Sequence, residues 1–374
     1  MTSFFEGKKA AAILKHEILK QYAAPFTGKV GKYSQGNRVA FIDGYAGEGQ
    51  YQDGTEGSPA LLMRTAHKLL PTRRLECMFV EKDRDCLEKL RALVAAEGQG
   101  VIAEVYEGDV KEHLDVLLER NKGIPLFVFL DPFGLMVPFD DVVKIFKRSG
   151  GTGAPATEVL INFNATGLRR IAGHLSSSTP SEATLRRMDD VCGGNWWRKS
   201  WIDNANDRQA AEAAVVEGYA KRLSEAATPH YGYWTAEVRN KAHHKPLYYL
   251  IFLTRHIEGL VVFGEAVSLG LQEWRRVVNE KETEGTLFAG EDLFEQSEKV
   301  LADEWVAEIT TNLRRLLSEG KSFVISDRYS EVYGKALGLA RQKHLRKAWK
   351  ELLGEGLTKT DSKGDLVKKR IEPA

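Results

Sequence analysis

Cysteine is scarce in this sequence. The three present, Cys77, Cys86 and Cys192, are odd in number and share no metal-type spacing. That pattern argues against a disulfide scaffold and against a cysteine-held metal. Cys77 falls in an expected strand and Cys86 in the helix after it, where buried thiols are the simpler reading. Long apolar runs are also missing: a stretch such as Leu247–Leu253 is far too short to cross a bilayer. The first nine residues, Met1 to Lys9, hold no apolar region of signal-peptide length. Net charge is nearly absent too, at +1, so any attraction to nucleic acid must be local. A cytoplasmic protein with no membrane partner is the expectation. What remains is ordinary globular material, 43% hydrophobic and 28% charged, in a chain of 374 residues long enough for two or three domains.

The most informative stretch is Val39 to Gly49. Val39–Ile42 has the length and apolar character of a buried strand, Asp43 ends it, and Gly44, Gly47 and Gly49 follow within six residues. Such a turn lets backbone approach a ligand at the carboxyl end of a parallel sheet. It is no P-loop, because Gln50-Tyr51 stand where Lys-Ser or Lys-Thr is needed. The order G-x-x-G-x-G also differs from the dinucleotide fingerprint. Asp43-Gly44-Tyr45-Ala46-Gly47-Glu48-Gly49 resembles instead the D-x-F-x-G-x-G first motif of class I S-adenosyl-L-methionine (SAM) methyltransferases. The resemblance implies that Asp43, Gly44, Tyr45, Ala46, Gly47 and Gly49 bind the cofactor. A plain tight turn is the bland alternative.

Periodicity predicts a helix over 6–26 that stops before Pro25, and another from Ala60 to Leu70 with Ser58 as N-cap. The strand Leu75–Glu81 ends in an acid. Glu81 is the candidate acceptor for ribose hydroxyls, as at the second strand of nucleotide-binding sheets. After the strand Val101–Tyr106, Asp109 stands where methyltransferases place an acid near the adenine amine. The fully apolar Pro125–Leu130 reads as a central parallel strand. It delivers Asp131-Pro132-Phe133-Gly134 to the same rim. A fifth strand covers Glu158–Phe163, and 165–228 turn helical and more polar. There Trp196, Trp197 and Trp201 read as packing against the sheet rather than stacking on a base. His243-His244 make a poor metal pair, since neighbours in an extended segment point oppositely. A strand pair, Trp234–Val238 and Pro246–Thr254, precedes a helix near Gly259–Trp274.

Residues 276–299 read as an acidic linker. Beyond it, helices at Ala302–Leu317, Arg328–Leu337 and Arg341–Gly354, then a hairpin of Gly356–Thr360 with Leu366–Ile371, follow the order of a winged helix. From Lys335 onward eleven Lys and Arg face five Asp and Glu. That local basic excess makes nucleic acid a possible partner, with protein contact the equal alternative. The expected fold is thus α/β: a doubly wound Rossmann-like methyltransferase sheet over 1–275 with a helical insertion, plus a winged-helix-like domain over 300–374.

Asp131-Pro132-Phe133-Gly134 resembles the fourth motif of methyltransferases that modify exocyclic amines of bases, closest to the Asp-Pro-Phe-Gly of tRNA guanine-N2 dimethyltransferases. The resemblance implies that Asp131 accepts the amine N–H and Phe133 stacks on the base. Leu135-Met136 replace the Ser-Pro of the tRNA enzymes, which leaves the substrate open. No cysteine follows a proline, so a cytosine-C5 enzyme is not expected. Taken together, Lys15–Leu19, Asp43–Tyr51, Gly57-Ser58-Pro59, Asp131–Gly134 and Pro246–Phe252 look like the three-Cys-motif partner (TcmP) family. That resemblance implies a separate cysteine-motif, iron–sulfur protein of the Gp37/Gp68 type as partner, in phage- or mobile-element-linked settings. Two functions compete: N-methylation of a nucleic-acid base, and a non-catalytic scaffold for that partner.

Overall fold

A computed structural model describes residues 2–50, 54–132, 134, 137–148, 154–227, 231–239, 244–283 and 291–374. The first helix, α1 (Thr2–Gly31), continues through Pro25 instead of ending before it. Proline removes one backbone hydrogen bond, yet packing around that turn holds the helix together. The Tyr22 and Phe26 rings lie 5.4 and 5.5 Å from the Phe127 ring, and Tyr22 meets Phe252 edge-on at 5.1 Å.

Strands and helices then alternate: β1 (Arg38–Asp43), α2 (Ser58–Leu69), β2 (Arg74–Glu81), α3 (Arg84–Glu97), β3 (Ile102–Glu107), α4 (Val110–Arg120), β4 (Leu126–Leu130), α5 (Phe139–Lys147) and β5 (Thr157–Asn164). The N-cap of α2 is Gly57, so Ser58 enters the first turn rather than capping it. Four helices fill the insertion, α6 (Ala165–Ala172), α7 (Glu182–Cys192), α8 (Trp196–Asp203) and α9 (Arg208–Ala226). The strands β6 (Gly232–Val238) and β7 (Tyr248–Thr254) follow, then α10 (Ile257–Thr283).

The seven strands form one sheet in the order β3-β2-β1-β4-β5-β7-β6. The first five pair in parallel, and β7 runs antiparallel to both β5 and β6. This is the doubly wound, Rossmann-like arrangement expected, with strand order reversing between β1 and β4. Strands buried on both faces explain the unbroken apolar runs of β1 and β4. Trp197 is fully buried among α7, α9 and the sheet, and its indole N–H donates to Asp189 at 2.8 Å. Trp196 donates to the Cys192 carbonyl.

The chain separates into two units, Met1–Ala11 with Tyr22–Leu260 and Ala12–Gln21 with Val261–Ala374. Where described, the expected acidic linker is helical, because α10 runs to Thr283 and α11 spans Glu291–Ser318. Some of its charges are paired: Glu298 takes Arg275 at 2.5 Å, and Arg276 bridges Glu273 and Glu280 along its own helix. The second unit continues with β8 (Phe323–Val324), α12 (Tyr329–Tyr333), α13 (Gln342–Gly354) and β9 (Arg370–Ile371). The expected hairpin does not form. β9 pairs antiparallel with β8, and Thr358 makes a single bridge to Pro373. Leu366 and Val367 are both buried, which breaks the alternation that a hairpin strand would need.

Candidate functional site

Strand register decides which side chains meet at the carboxyl rim. Asp43 ends β1 beside Phe79 of β2 and Phe129 of β4. Side chains alternate along a strand, so Glu81 and Asp131, each two residues beyond those partners, share the face of Asp43. The last β4–β5 pair is Leu130 with Ile161, which puts Asn162 next to Asp131. The contact is made: the Asn162 side-chain N–H donates to Asp131 Oδ1. Four neighbouring strands thus bring Glu81, Asp43, Asp131 and Asn162 to one face.

The glycine turn is tied down through its backbone. Asp43 is wholly buried, and its Oδ1 accepts the Tyr45 N–H at 3.2 Å. The Gly44 N–H donates to the Phe129 carbonyl at 2.9 Å, and the Ala46 N–H to Val80 at 3.0 Å. A Cβ on Gly44 would sit 2.9 Å from Leu130 and 3.0 Å from Val110, so a side chain there would have to push those buried methyl groups aside. Gly47 has φ +66°, with open space where a side chain would stand. Gly49 accepts the Gly57 N–H at 2.9 Å and lies against Leu93.

Glu81 holds this turn. Its Oε2 accepts the Gly47 N–H at 2.7 Å, while Oε1 takes the N–H groups of Lys82 and Asp83 at 2.9 and 2.8 Å. Asp109 is N-cap of α4, in a capping box with Glu112, and Lys82 approaches it at 3.8 Å. Burial first, then the charges of Asp109 and Asp131, hold the Tyr45 phenol well above its ordinary pKa.

Asp131 is half-buried and Pro132 buried, whereas Gly134 is exposed with nothing within 4 Å of a Cβ. Phe133, Leu135, Met136, Tyr51 and His243 lie outside the described residues. Among the described residues no group of His, Cys, Asp and Glu is placed to hold a metal, and no helix is long and apolar enough to cross a membrane. Residue-level reading missed Asn162. Its signal was an amide inside the apolar run Val159–Phe163.

No family model and no curated protein matches the chain. Among solved structures, the chain is similar to an O-methyltransferase from Bacillus cereus in complex with SAH (13% identity, TM-score 0.33, covering 63% of this chain and 80% of that one). It is also similar to the O-methyltransferase TomG from Streptomyces achromogenes, involved in tomaymycin synthesis, in complex with SAM (14% identity, TM-score 0.34, covering 67% and 89%).

Proposed function

We propose that this chain is a SAM-dependent methyltransferase that N-methylates an exocyclic amine of a nucleic-acid base. The observation that carries this reading is Asp131, held by Asn162 at the end of a central strand, on the same face as Asp43 and Glu81. The residues fit the cofactor's chemistry. The turn at Gly47 leaves space where a side chain would stand, and carboxylates of Asp43 and Glu81 flank it. Asp43, Gly44, Tyr45, Ala46, Gly47, Gly49, Glu81 and Asp109 would hold the cofactor. When bound, SAM supplies an electrophilic methyl group on a sulfonium centre.

The chain's own residues supply the rest. An aryl amine is a weak nucleophile because its lone pair is delocalised into the ring. A carboxylate that accepts its N–H bond favours the localised lone pair and offsets the positive charge that develops on nitrogen. Asp131 takes that role, and the backbone carbonyl of Pro132 is the natural second acceptor. Phe133 would stack on a base that is unpaired or taken out of its helix. The basic excess after Lys335 supports a nucleic-acid partner for a winged-helix-like C-terminal unit.

One observation favours the scaffold reading. Glu81 already gives three acceptor bonds to backbone N–H groups, so a ribose would have to share or displace them. In that reading the chain is a TcmP-type partner of a three-Cys-motif iron–sulfur protein and transfers no methyl group.

Isothermal titration with SAM tests the cofactor claim. Binding by the wild type and its loss in Gly47→Val are expected, and equal binding by both removes the glycine turn from the site. Transfer of labelled methyl from SAM to DNA, rRNA and tRNA pools tests the reaction. Transfer that survives in Asp131→Ala would take Asp131 out of the chemistry.

A further inference from the structure

We infer that Asn162 is the positioning residue for Asp131, an inference that rests on the methyltransferase reading above. β5 is apolar on both sides of it, from Val159 to Phe163, and its neighbour across the sheet on β7 is Leu250. An amide in such a place costs free energy unless its groups are answered. Asn162 is only 7% exposed, and its Oδ1 has no hydrogen-bond partner among the described residues. Leucine would fill the same strand position without an orphaned acceptor, so stability alone does not account for the amide. Its one polar contact given by the structure is the N–H bond to Asp131 Oδ1. A carboxylate only accepts, so the amide must turn its nitrogen toward Asp131 and its oxygen away. This fixes one carboxylate oxygen and sets the direction of the other lone pairs of Asp131.

Positioning has a signature that packing lacks. Asn162→Leu should keep the melting temperature and SAM affinity of the wild type, but lower kcat about 10–100-fold with little change in KM, the range typical for lost supporting hydrogen bonds. Asn162→Asp, of equal size, sets a second carboxylate against the first. The acid limb of the pH–rate profile should then move to higher pH, because the pair shares a proton until the medium is more basic.

A readout independent of turnover completes the test. In crystals of Asn162→Leu and Asn162→Asp, the Asp131 carboxylate should leave the position it holds in wild-type crystals. An unmoved Asp131 in both variants overturns the inference, whether or not an acceptor is known. Unchanged kcat in Asn162→Leu with a displaced Asp131 overturns it as well. Absence of methylation by the wild type on every pool would sink the proposed reaction instead, leaving the crystallographic comparison to decide whether Asn162 sets the carboxylate.

Discussion

Two polar side chains of β5, Glu158 and Asn162, border or interrupt its apolar run, and their surroundings differ. Near the amino end, Glu158 is 3% exposed and both its oxygens are answered: Tyr22 O–H donates to Oε2, and Thr254 Oγ1 to Oε1 at 2.7 Å. Near the carboxyl end, Asn162 is nearly as buried but keeps an unanswered oxygen beside a half-buried carboxylate. One end is sealed by its own neighbours. The other leaves one buried amide oxygen unanswered, next to the carboxylate that the same amide holds. Burial alone does not separate the two ends; an unanswered oxygen on the amide that holds a rim carboxylate does.

The comparison can be broken at either end, and the largest effect is expected at the open one. Asp131→Ala should lower methyl transfer about 10²–10³-fold or more in a labelled-SAM assay, while its unfolding midpoint in urea stays close to that of the wild type. A large loss of stability with proportionate loss of activity would make Asp131 structural, like Glu158.

At the sealed end, burial pushes the Glu158 carboxyl up to about 7 from an ordinary 4.5, against the lowering effect of Tyr22 and Thr254. The folded state therefore binds a proton that the unfolded chain releases between pH 4.5 and 7. The stabilisation is complete below pH 4.5 and is lost as pH rises to about 7, by on the order of 3 kcal/mol. Urea unfolding from pH 4 to 8 should show that decline, and Glu158→Gln should flatten it. An equally steep decline in the variant would assign it to other groups.

Tyr22→Phe removes one donor to the same carboxylate and should cost about 1–3 kcal/mol at pH 8 in urea unfolding. A cost below about 0.5 kcal/mol would mean that the amino end is less tightly sealed than the hydrogen bonds indicate. The smallest effects come from two glycines of the rim. Gly47→Ala, at φ +66°, should destabilise by about 1 kcal/mol. Gly134→Ala, with open space around its Cβ, should stay within about 0.5 kcal/mol of wild type by thermal denaturation. Reversal of that order would show that Gly134, not Gly47, is the strained position.

Much of the sheet was legible because apolar runs and their terminal acids are local signals. β1, β2 and β4 lie where Val39–Ile42, Leu75–Glu81 and Pro125–Leu130 place them, and Glu81 and Asp131 stand at their ends. Other features depended on long-range contacts. Pro25 reads as a helix stop, but the Phe127 cluster that holds α1 through it comes from a strand a hundred residues later. Leu366–Ile371 reads as the second strand of a hairpin with Gly356–Thr360, yet the partner of β9 is β8, which lies before α12. Asn162 in isolation is an oddity within a strand, and only register turns it into a neighbour of Asp131. The clamp of Gly47 by Glu81 was equally invisible, because a strand-end acid says nothing about which backbone N–H it will accept.

The antiparallel seat of β7 has a consequence for the order in which the molecule is made. β5 must pair with β7 from Asn164–Tyr248 to Val159–Leu253, across the entire four-helix insertion. Closing a loop of roughly eighty residues is slow compared with the local βα steps before it. During synthesis, β1 to β5 can assemble while β7 is still on the ribosome, leaving the outer edge of β5 bare. Asn162 lies on that edge. The rim next to Asp131 is thus among the last parts of the sheet to be completed, and a chain stopped short of β7 would expose its growing edge to aggregation before it had a finished site.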